Sequence, residues 1–147
     1  MSSRVSIVRR VVMAVAMPTL AVLAVMLMGC TTAPQPMHSA AGVPASEGTV
    51  KATKGDNDNT IVEIHVKHLA PPAKVASDAT TYVVWIKPMD GGLQNVGAMV
   101  LDSNLEGGLN TVTPYHRFKL EVTPEPSAAV AQPTHDPVFT ADVERTE

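Results

Sequence analysis

The sequence predicts an all-β domain, an immunoglobulin-like sandwich of two sheets and six to seven strands that follows a signal peptide and a flexible tether. Apolar and polar side chains alternate over residues 62–67 and 118–122, which gives each strand one buried and one solvated face. Beyond residue 48 no segment repeats its apolar residues at the helical period of about 3.6. Glycine and proline turn signals recur about every ten residues, which is typical of sandwiches built from short strands.

The first residues have the layout of an export signal. Arg4, Arg9 and Arg10 form a cationic start, and residues 11–28 form an apolar run without a charge. An uncleaved transmembrane helix is the alternative interpretation. A run of 18 residues that contains Pro18 is at the short limit for a span, so cleavage is favoured.

Leu27, Met28 and Gly29 stand directly before Cys30, the one cysteine in the chain. This arrangement resembles the lipobox of bacterial lipoproteins. The resemblance implies that Leu27, Met28 and Gly29 are recognised by the signal peptidase and that residues 1–29 are removed. It also implies that the Cys30 sulfur carries diacylglycerol and that the new amine carries a fatty-acyl chain such as palmitate.

We therefore expect a cell-envelope lipoprotein that is anchored to the membrane through Cys30 and does not span it. Two or more acyl chains hold a protein firmly, whereas one chain binds only marginally. In enterobacterial lipoproteins an aspartate at the position of Thr31 would favour the inner membrane. Its absence slightly favours the outer membrane, with the domain in the periplasm, and we expect no cofactor besides the covalent lipid.

The distribution of charge agrees with export and limits the partners. All 14 acidic residues lie after Cys30, and three of the 11 lysines and arginines lie before it. The expected mature chain thus carries eight cationic and 14 anionic side chains, a formal charge of −6. Nucleic acids and anionic membrane surfaces require a basic patch, so neither is the expected partner of the mature domain. A single cysteine also leaves no disulfide to stabilise the fold.

Two regions are expected after the signal. Residues 30–48 are rich in Thr, Ala, Ser and Pro and lack a helix or strand period, which predicts a lipid-anchored flexible linker. Residues 49–147 form one β-sandwich domain, a length near the mode for single domains.

Seven segments of this domain have the features of strands. Residues 81–86 are apolar on both faces, as in a central strand covered on two sides, and Trp85 is their expected core aromatic. A turn at residues 56–59 joins the first two strands, and residues 89–92 make a hairpin after the third. The strands are expected near residues 49–53, 62–67, 81–86, 96–101, 109–112, 118–122 and 138–143.

Four of these segments carry a likeness to a known family. They are Thr-Tyr-Val-Val-Trp-Ile at 81–86, Asn-Val-Gly at 95–97, Phe-Lys-Leu-Glu-Val-Thr-Pro-Glu-Pro-Ser at 118–127 and Pro-Val at 137–138. Over residues 48–145 the chain resembles the extracytoplasmic domain of anti-sigma-K-type factors. The resemblance implies an envelope sensor or an accessory of a sigma/anti-sigma system. It does not extend to sigma binding, because only a few residues precede the signal.

The histidines are not expected to form a metal site. His65 and His68 are three residues apart on a predicted strand, so their side chains point to opposite faces. The predicted order of strands lets His116 approach His135 across the last two strands. No cysteine or patterned carboxylate stands beside them as a further ligand.

Catalytic patterns are also missing from the sequence. Residues 56–59, Asp-Asn-Asp-Asn, are half of a calcium-loop pattern, but the following glycine and the distant glutamate are absent, so a turn is expected. Asp90, Asp102 and Glu106 lie near turns without a catalytic partner. We expect no catalytic and no metal-binding residues.

These observations together predict a lipid-anchored envelope protein whose domain binds a partner or supports structure and is not an enzyme. The expected partner is an unidentified envelope protein, and the proline-rich connection at 124–137 is either a recognition loop or a rigid spacer. The alternatives are an envelope sensor or accessory of a sigma/anti-sigma system and, least favoured, a metal-dependent enzyme.

Overall fold

The computed structural model describes residues 32–147, which contain nine strands and two short helical turns. The turns are α1, Pro72–Val75, and a 3-10 turn, Asp56–Asp58. The strands are β1 Gln35–Pro36, β2 His38–Ser39, β3 Glu47–Lys54, β4 Thr60–Lys67, β5 Thr81–Pro88, β6 Gln94–Met99, β7 Gly107–Thr113, β8 Arg117–Glu125 and β9 Phe139–Glu144.

The strands form two antiparallel sheets. The four-stranded sheet has the order β1-β3-β4-β7, and the five-stranded sheet has the order β2-β9-β8-β5-β6. The predicted all-β sandwich is therefore confirmed, and each of the seven expected strands is present as one of β3 to β9. The immunoglobulin-like topology stays a prediction.

The predicted turns are also found. The 3-10 turn joins β3 to β4, whose residues pair from Glu47 with Lys67 to Lys54 with Thr60. Residues 89–93 close the β5–β6 hairpin, in which Tyr82 pairs with Met99. Asn57 and Asp58 take left-handed φ angles of 54° and 62°, which short polar side chains tolerate in turns.

The core lies between the sheets and follows from the alternation along the strands. Val62, Ile64 and Val66 of β4 are fully buried, while the intervening residues of this strand are exposed. Strands β5, β8 and β9 contribute the facing layer, which includes Tyr82, Phe118, Leu120 and Phe139 among its members. Burial of this apolar surface is the main favourable term in folding, at about 25 cal/mol per Å².

The expected flexible linker at 30–48 differs from what is found for residues 32–48. β1 pairs with β3, β2 pairs with β9, and Met37 and Val43 are buried in the core cluster. The Met37 amide donates a hydrogen bond of 2.7 Å to the Gly48 carbonyl. Proline is compatible with this packing because an edge strand leaves one side of its backbone unpaired. The apolar residues Met37 and Val43 indicate that this segment is packed, but the composition of the segment as a whole does not show it.

The interpretation of Trp85 as an aromatic of the inter-sheet core is wrong. Tyr82, Val84 and Ile86 of β5 face the other sheet, whereas Val83 and Trp85 lie on the outer face of the five-stranded sheet. Both are nevertheless fully buried. The prediction that β5 is covered on two sides is thus confirmed, and the cover on the outer side comes from the β8–β9 connection.

Two ends of the sandwich are used below. Residues 55–59, 89–93, 114–116 and 145–147 lie together at one end, which we call the Thr32 end because Thr32 bonds Thr146 there through their hydroxyls at 2.8 Å. Residues 40–46, 68–80 and 100–106 form the opposite end, called the Leu105 end.

Within residues 32–147 no helix is long and apolar enough to cross a membrane.

Candidate functional site

The residues predicted for processing and lipidation fall outside the described part of the chain. Leu27, Met28, Gly29 and Cys30 precede residue 32, where the description of the structure begins. The first described residues are nevertheless close to Cys30 in sequence, and they are attached to the Thr32 end of the sandwich.

The histidines occupy separate places. The approach of His116 to His135 that the predicted strand order allowed is not found, because His116 contacts Asp58 at the Thr32 end while His135 contacts Asp78 at the Leu105 end. Each histidine precedes the start of a strand, and antiparallel neighbours start at opposite ends of a sheet. Within residues 32–147 no three His, Cys, Asp or Glu side chains are grouped so that they could hold a metal ion.

The acidic turn at residues 56–59 is a turn, as predicted, and its second aspartate is engaged in ion pairs. The Gly55 amide donates to the Asn59 carbonyl at 2.8 Å, which closes the turn. Asp58 accepts hydrogen bonds from Arg145 at 2.9 Å and lies 3.2 Å from the His116 ring. Hydrogen bonding to Arg145 holds the pKa of the Asp58 carboxyl below its usual value.

Arg145 is the centre of this ion-pair network. Its side chain is only 6% exposed, and its second nitrogen donates to Glu147 at 3.0 Å. Glu147 also accepts a hydrogen bond from Lys54 at 3.0 Å, and the bonds from Lys54 and Arg145 lower the pKa of its carboxyl. The network therefore joins the 56–59 turn, the end of β3 and the last residues of the chain.

A buried polar chain lies on the outer face of the five-stranded sheet. The Trp85 indole N–H donates to the Thr123 hydroxyl at 2.8 Å, and that hydroxyl donates to Glu125 Oε1 at 2.6 Å. Glu125 is fully buried. Its oxygens also accept the backbone N–H of Thr134, at 3.0 and 3.1 Å, and the Thr134 hydroxyl. A buried carboxylate is tolerated only when its lone pairs are satisfied in this way.

These bonds fix the proline-rich connection over Trp85. Thr134 belongs to this connection, residues 126–138, and its two bonds attach one side of it to β8. The Asn95 amide attaches the other side by donating to the Ala128 and Val130 carbonyls at 3.0 Å each. The connection is thus the exposed segment that the sequence predicts, and it is held in one conformation by the sheet beneath it.

His135 extends the polar chain to the surface. Its Nδ1 lies 3.0 Å from the Thr134 hydroxyl, and its Nε2 lies 3.0 Å from Asp78 Oδ1. The Thr134 hydroxyl gives its hydrogen to Glu125 and can therefore only accept from the ring. The ring therefore lies between the connection and the segment before β5, within hydrogen-bonding distance of both.

The Leu105 end carries a small apolar pocket of about 200 Å³. Val100 and Leu105 at its rim are 81% and 37% exposed, and the buried Met99 lies at its base. Leu105 has a φ of 62°, which is uncommon for a bulky residue. Asp102 maintains this conformation, because its Oδ1 accepts the Asn104 and Glu106 amides at 2.8 and 2.9 Å. An exposed leucine is therefore held in place by a fixed turn.

A wider groove of about 500 Å³ lies at the Thr32 end of the five-stranded sheet. Lys87 and Lys119, which line it, stand directly opposite each other on β5 and β8. Arg117 pairs with Glu144 at 2.7 Å, and Lys119 pairs with Glu121 at 3.1 Å. Arg117, Lys119 and Glu144 in the lining of the groove therefore have ion-pair partners, whereas residues 32–147 provide none for the Lys87 and Asp142 side chains.

Sequence reasoning missed the residues of the buried polar chain as a unit. Thr123 and Glu125 were noticed only as part of the family-like segment at 118–127. A polar pair within a strand, next to a strand with a buried tryptophan, is a signal for such a chain, but a single sequence does not show that Thr134 returns to it. Tyr115 accepts a hydrogen bond from the Gln94 side chain at 2.9 Å.

Comparison with known proteins returned no relative. No protein-family model matches the chain, and no curated protein or solved structure matches it.

Proposed function

We propose that this protein is a lipoprotein of the bacterial cell envelope, acylated at Cys30, whose β-sandwich domain binds a protein partner or supports structure and does not catalyse a reaction. The observation that carries the proposal is Cys30 itself. It stands directly after Leu27, Met28 and Gly29, at the end of an apolar run that follows three arginines.

The beginning of the folded domain supports this assignment. Residues 32–39 contact both sheets, so the chain is part of the sandwich from two residues after Cys30 onwards. A cut before Cys30 would remove the apolar run and leave every described strand intact. Acylation on the sulfur and the new amine would supply the two or more chains that stable anchoring requires.

Binding through the Leu105 end is supported by its pocket. Val100 and Leu105 expose apolar surface beside a preformed cavity, and the Asp102 turn fixes the position of Leu105. Apolar side chains that are held rigidly before binding lose little conformational entropy when a partner covers them.

The proposed location is the outer membrane, with the domain in the periplasm.

Mass spectrometry of the protein purified from membranes tests the anchor. The mature chain is expected to begin at Cys30 and to carry a diacylglyceryl and an acyl group. Cys30→Ala is expected to remain uncleaved and unacylated, whereas Thr31→Ala, one residue away, is expected to be processed normally. A native chain that keeps residues 1–29 or an unmodified Cys30 would contradict the proposal.

A second function is favoured by where the family-like segments lie. Residues 81–86, 95–97 and 118–123 are on β5, β6 and β8, which are neighbours in one sheet. The likeness therefore concerns three adjacent strands of one sheet, which supports a role as a sensor or accessory in a sigma/anti-sigma system. Crosslinking in intact cells tests this role, since it is expected to capture a membrane component of such a system.

A further inference from the structure

The place where the chain leaves the sandwich determines which surface is nearest to the lipid anchor. Thr32 is bonded to Thr146 at the Thr32 end, and the Gln35 side chain donates to the Asp142 carbonyl at 2.9 Å. Cys30 lies two residues before Thr32, and two residues of extended chain span at most about 7 Å. From the structure we infer that the Thr32 end faces the bilayer and that the Leu105 end points away from it, an inference that rests on the proposed acylation of Cys30.

The distribution of charge supports this orientation. The Thr32 end, taken together with the two strand residues next to each of its turns, carries four cationic side chains and five carboxylates, a balance of −1, and these are Lys54, Lys87, Arg117, Arg145, Asp56, Asp58, Asp90, Glu144 and Glu147. The remainder of the mature chain has four cationic side chains and nine carboxylates, a balance of −5. The acidic excess is therefore kept away from the headgroups, where anionic lipids would repel it.

The charges at the Thr32 end are also largely paired. Lys54, Arg117 and Arg145 bond Glu147, Glu144 and Asp58, respectively, at 3.0 Å or less. Paired charges produce a weaker field at a distance than separate ones, so this end neither attracts nor repels a lipid surface strongly. The lipid anchor then determines how far the domain is from the bilayer, and the position of Thr32 in the fold determines which end of the domain faces it.

An exposed apolar side chain marks the same end. Met89, in the β5–β6 turn, is 73% exposed. At a headgroup surface an unbranched, polarisable side chain of this kind loses nothing by contact with lipid. The surface that the anchor brings to the membrane is thus formed by the β3–β4, β5–β6 and β7–β8 turns with residues 145–147, and it faces the lipid headgroup layer without the basic patch that charge-driven binding to anionic lipids requires.

Single-cysteine labelling tests the orientation, because acylation of Cys30 leaves the native chain without a free thiol. Met89→Cys places a thiol at the Thr32 end, and Ser103→Cys places one at the Leu105 end; both positions are exposed. Each full-length variant is purified in its native membrane-derived form, labelled with a fluorescent maleimide and reconstituted into vesicles that contain headgroup-nitroxide lipid.

The expected result is quenching that is several-fold stronger at residue 89 than at residue 103. Equal quenching at the two positions, stronger quenching at residue 103 or no quenching at either would overturn the orientation. The unsubstituted chain is the control for the anchor. If it reacts with maleimide at Cys30, the acylation is absent and the proposed function fails; if it does not react, the two labels report on orientation alone.

Discussion

Trp85 lies on the outer face of its sheet and donates its indole hydrogen bond to the Thr123 hydroxyl, 2.8 Å away. That hydroxyl donates in turn to the buried Glu125, so the one tryptophan of the chain is bonded to the group that fixes the β8–β9 connection. Trp85 fluorescence is consequently a local reporter of that connection as well as of global unfolding.

Glu125→Gln is expected to destabilise the domain. An amide places an N–H₂ where the carboxylate now accepts hydrogen bonds from Thr123 and Thr134, so at least one buried donor loses its acceptor, at a cost of about 1–3 kcal/mol. Chemical denaturation followed by Trp85 fluorescence measures the loss. Glu63→Gln, in an exposed pair with Lys51, is the matched control and is expected to change stability by less than about 1 kcal/mol. Equal effects of the two variants would contradict the role of Glu125.

Thr123→Val keeps the shape of the side chain and removes its hydroxyl. The Trp85 indole N–H then has no acceptor in a fully buried site, which is expected to cost about 1–3 kcal/mol and to shift the native emission of Trp85. Thr111→Val, on β7, is the control and is expected to leave the emission unchanged. An unchanged spectrum for Thr123→Val would show that the bond does not form in solution.

Met37→Ala tests whether the segment before β3 is packed or flexible. Met37 is 7% exposed within the core cluster, so truncation is expected to cost about 2–5 kcal/mol. Met89→Ala makes the same chemical change at a side chain that is 73% exposed, and its free energy of unfolding is expected to stay close to that of the native chain. A Met37→Ala variant as stable as Met89→Ala would show that Met37 is not packed and would support the prediction of a flexible linker.

Alkaline pH is expected to destabilise the domain through Tyr82. Burial raises the pKa of Tyr82 to about 12, so the folded state favours the neutral phenol. Its contribution is complete below the ordinary pKa of 10.0 and is lost as the pH rises from there to about 12. Tyr82→Phe, which also removes the hydrogen bond to the Ala70 carbonyl, is expected to lack this part of the alkaline loss. Tyr115→Phe is expected to retain it in parallel denaturation series.

Acidic pH is expected to act through the network around Arg145. Asp58 and Glu147 have pKa values below their usual 3.8 and 4.5, so their contribution to stability is present above those values and is lost as the pH falls through the lowered ones. Arg145→Gln is expected to reduce this loss of stability at acidic pH, which denaturation at a series of pH values measures. Arg117→Gln removes a different arginine–glutamate pair at the same end and is expected to leave the contribution of Asp58 and Glu147 in place.

The longer strands could be predicted from the sequence because the order of apolar and polar residues within each strand indicates which of its side chains are buried. β4 and β8 alternate, and β5 is apolar on both faces, so period and length were enough. β1 and β2 could not be found in this way. Each has two residues, and each is a strand only because β3 and β9 offer a free edge to pair with.

The candidate site was less predictable, since it depends on contacts across the fold. Alternation placed Trp85 and Tyr82 on opposite faces of β5, but it did not tell which face meets the second sheet. The cover over Trp85 comes from a connection of proline, alanine and polar residues, a composition that indicates a loop and nothing about its position. The bonds of Thr134 to Glu125 and of Asn95 to the Ala128 and Val130 carbonyls determine that position.

The two short N-terminal strands also affect how one copy of the protein meets another. On one side of the sandwich, β1 covers the edge of β3 and β2 covers the edge of β9. On the other side, β6 and β7 are the outer strands; an isolated bridge joins Leu101 to Gly107, and a register shift interrupts the pairing of β6 with β5. Open, regular edges invite strand addition between molecules. The two short strands and the irregular β6 edge thus leave less regular strand edge through which one copy of the domain could add to another, which lowers the tendency to edge-to-edge aggregation.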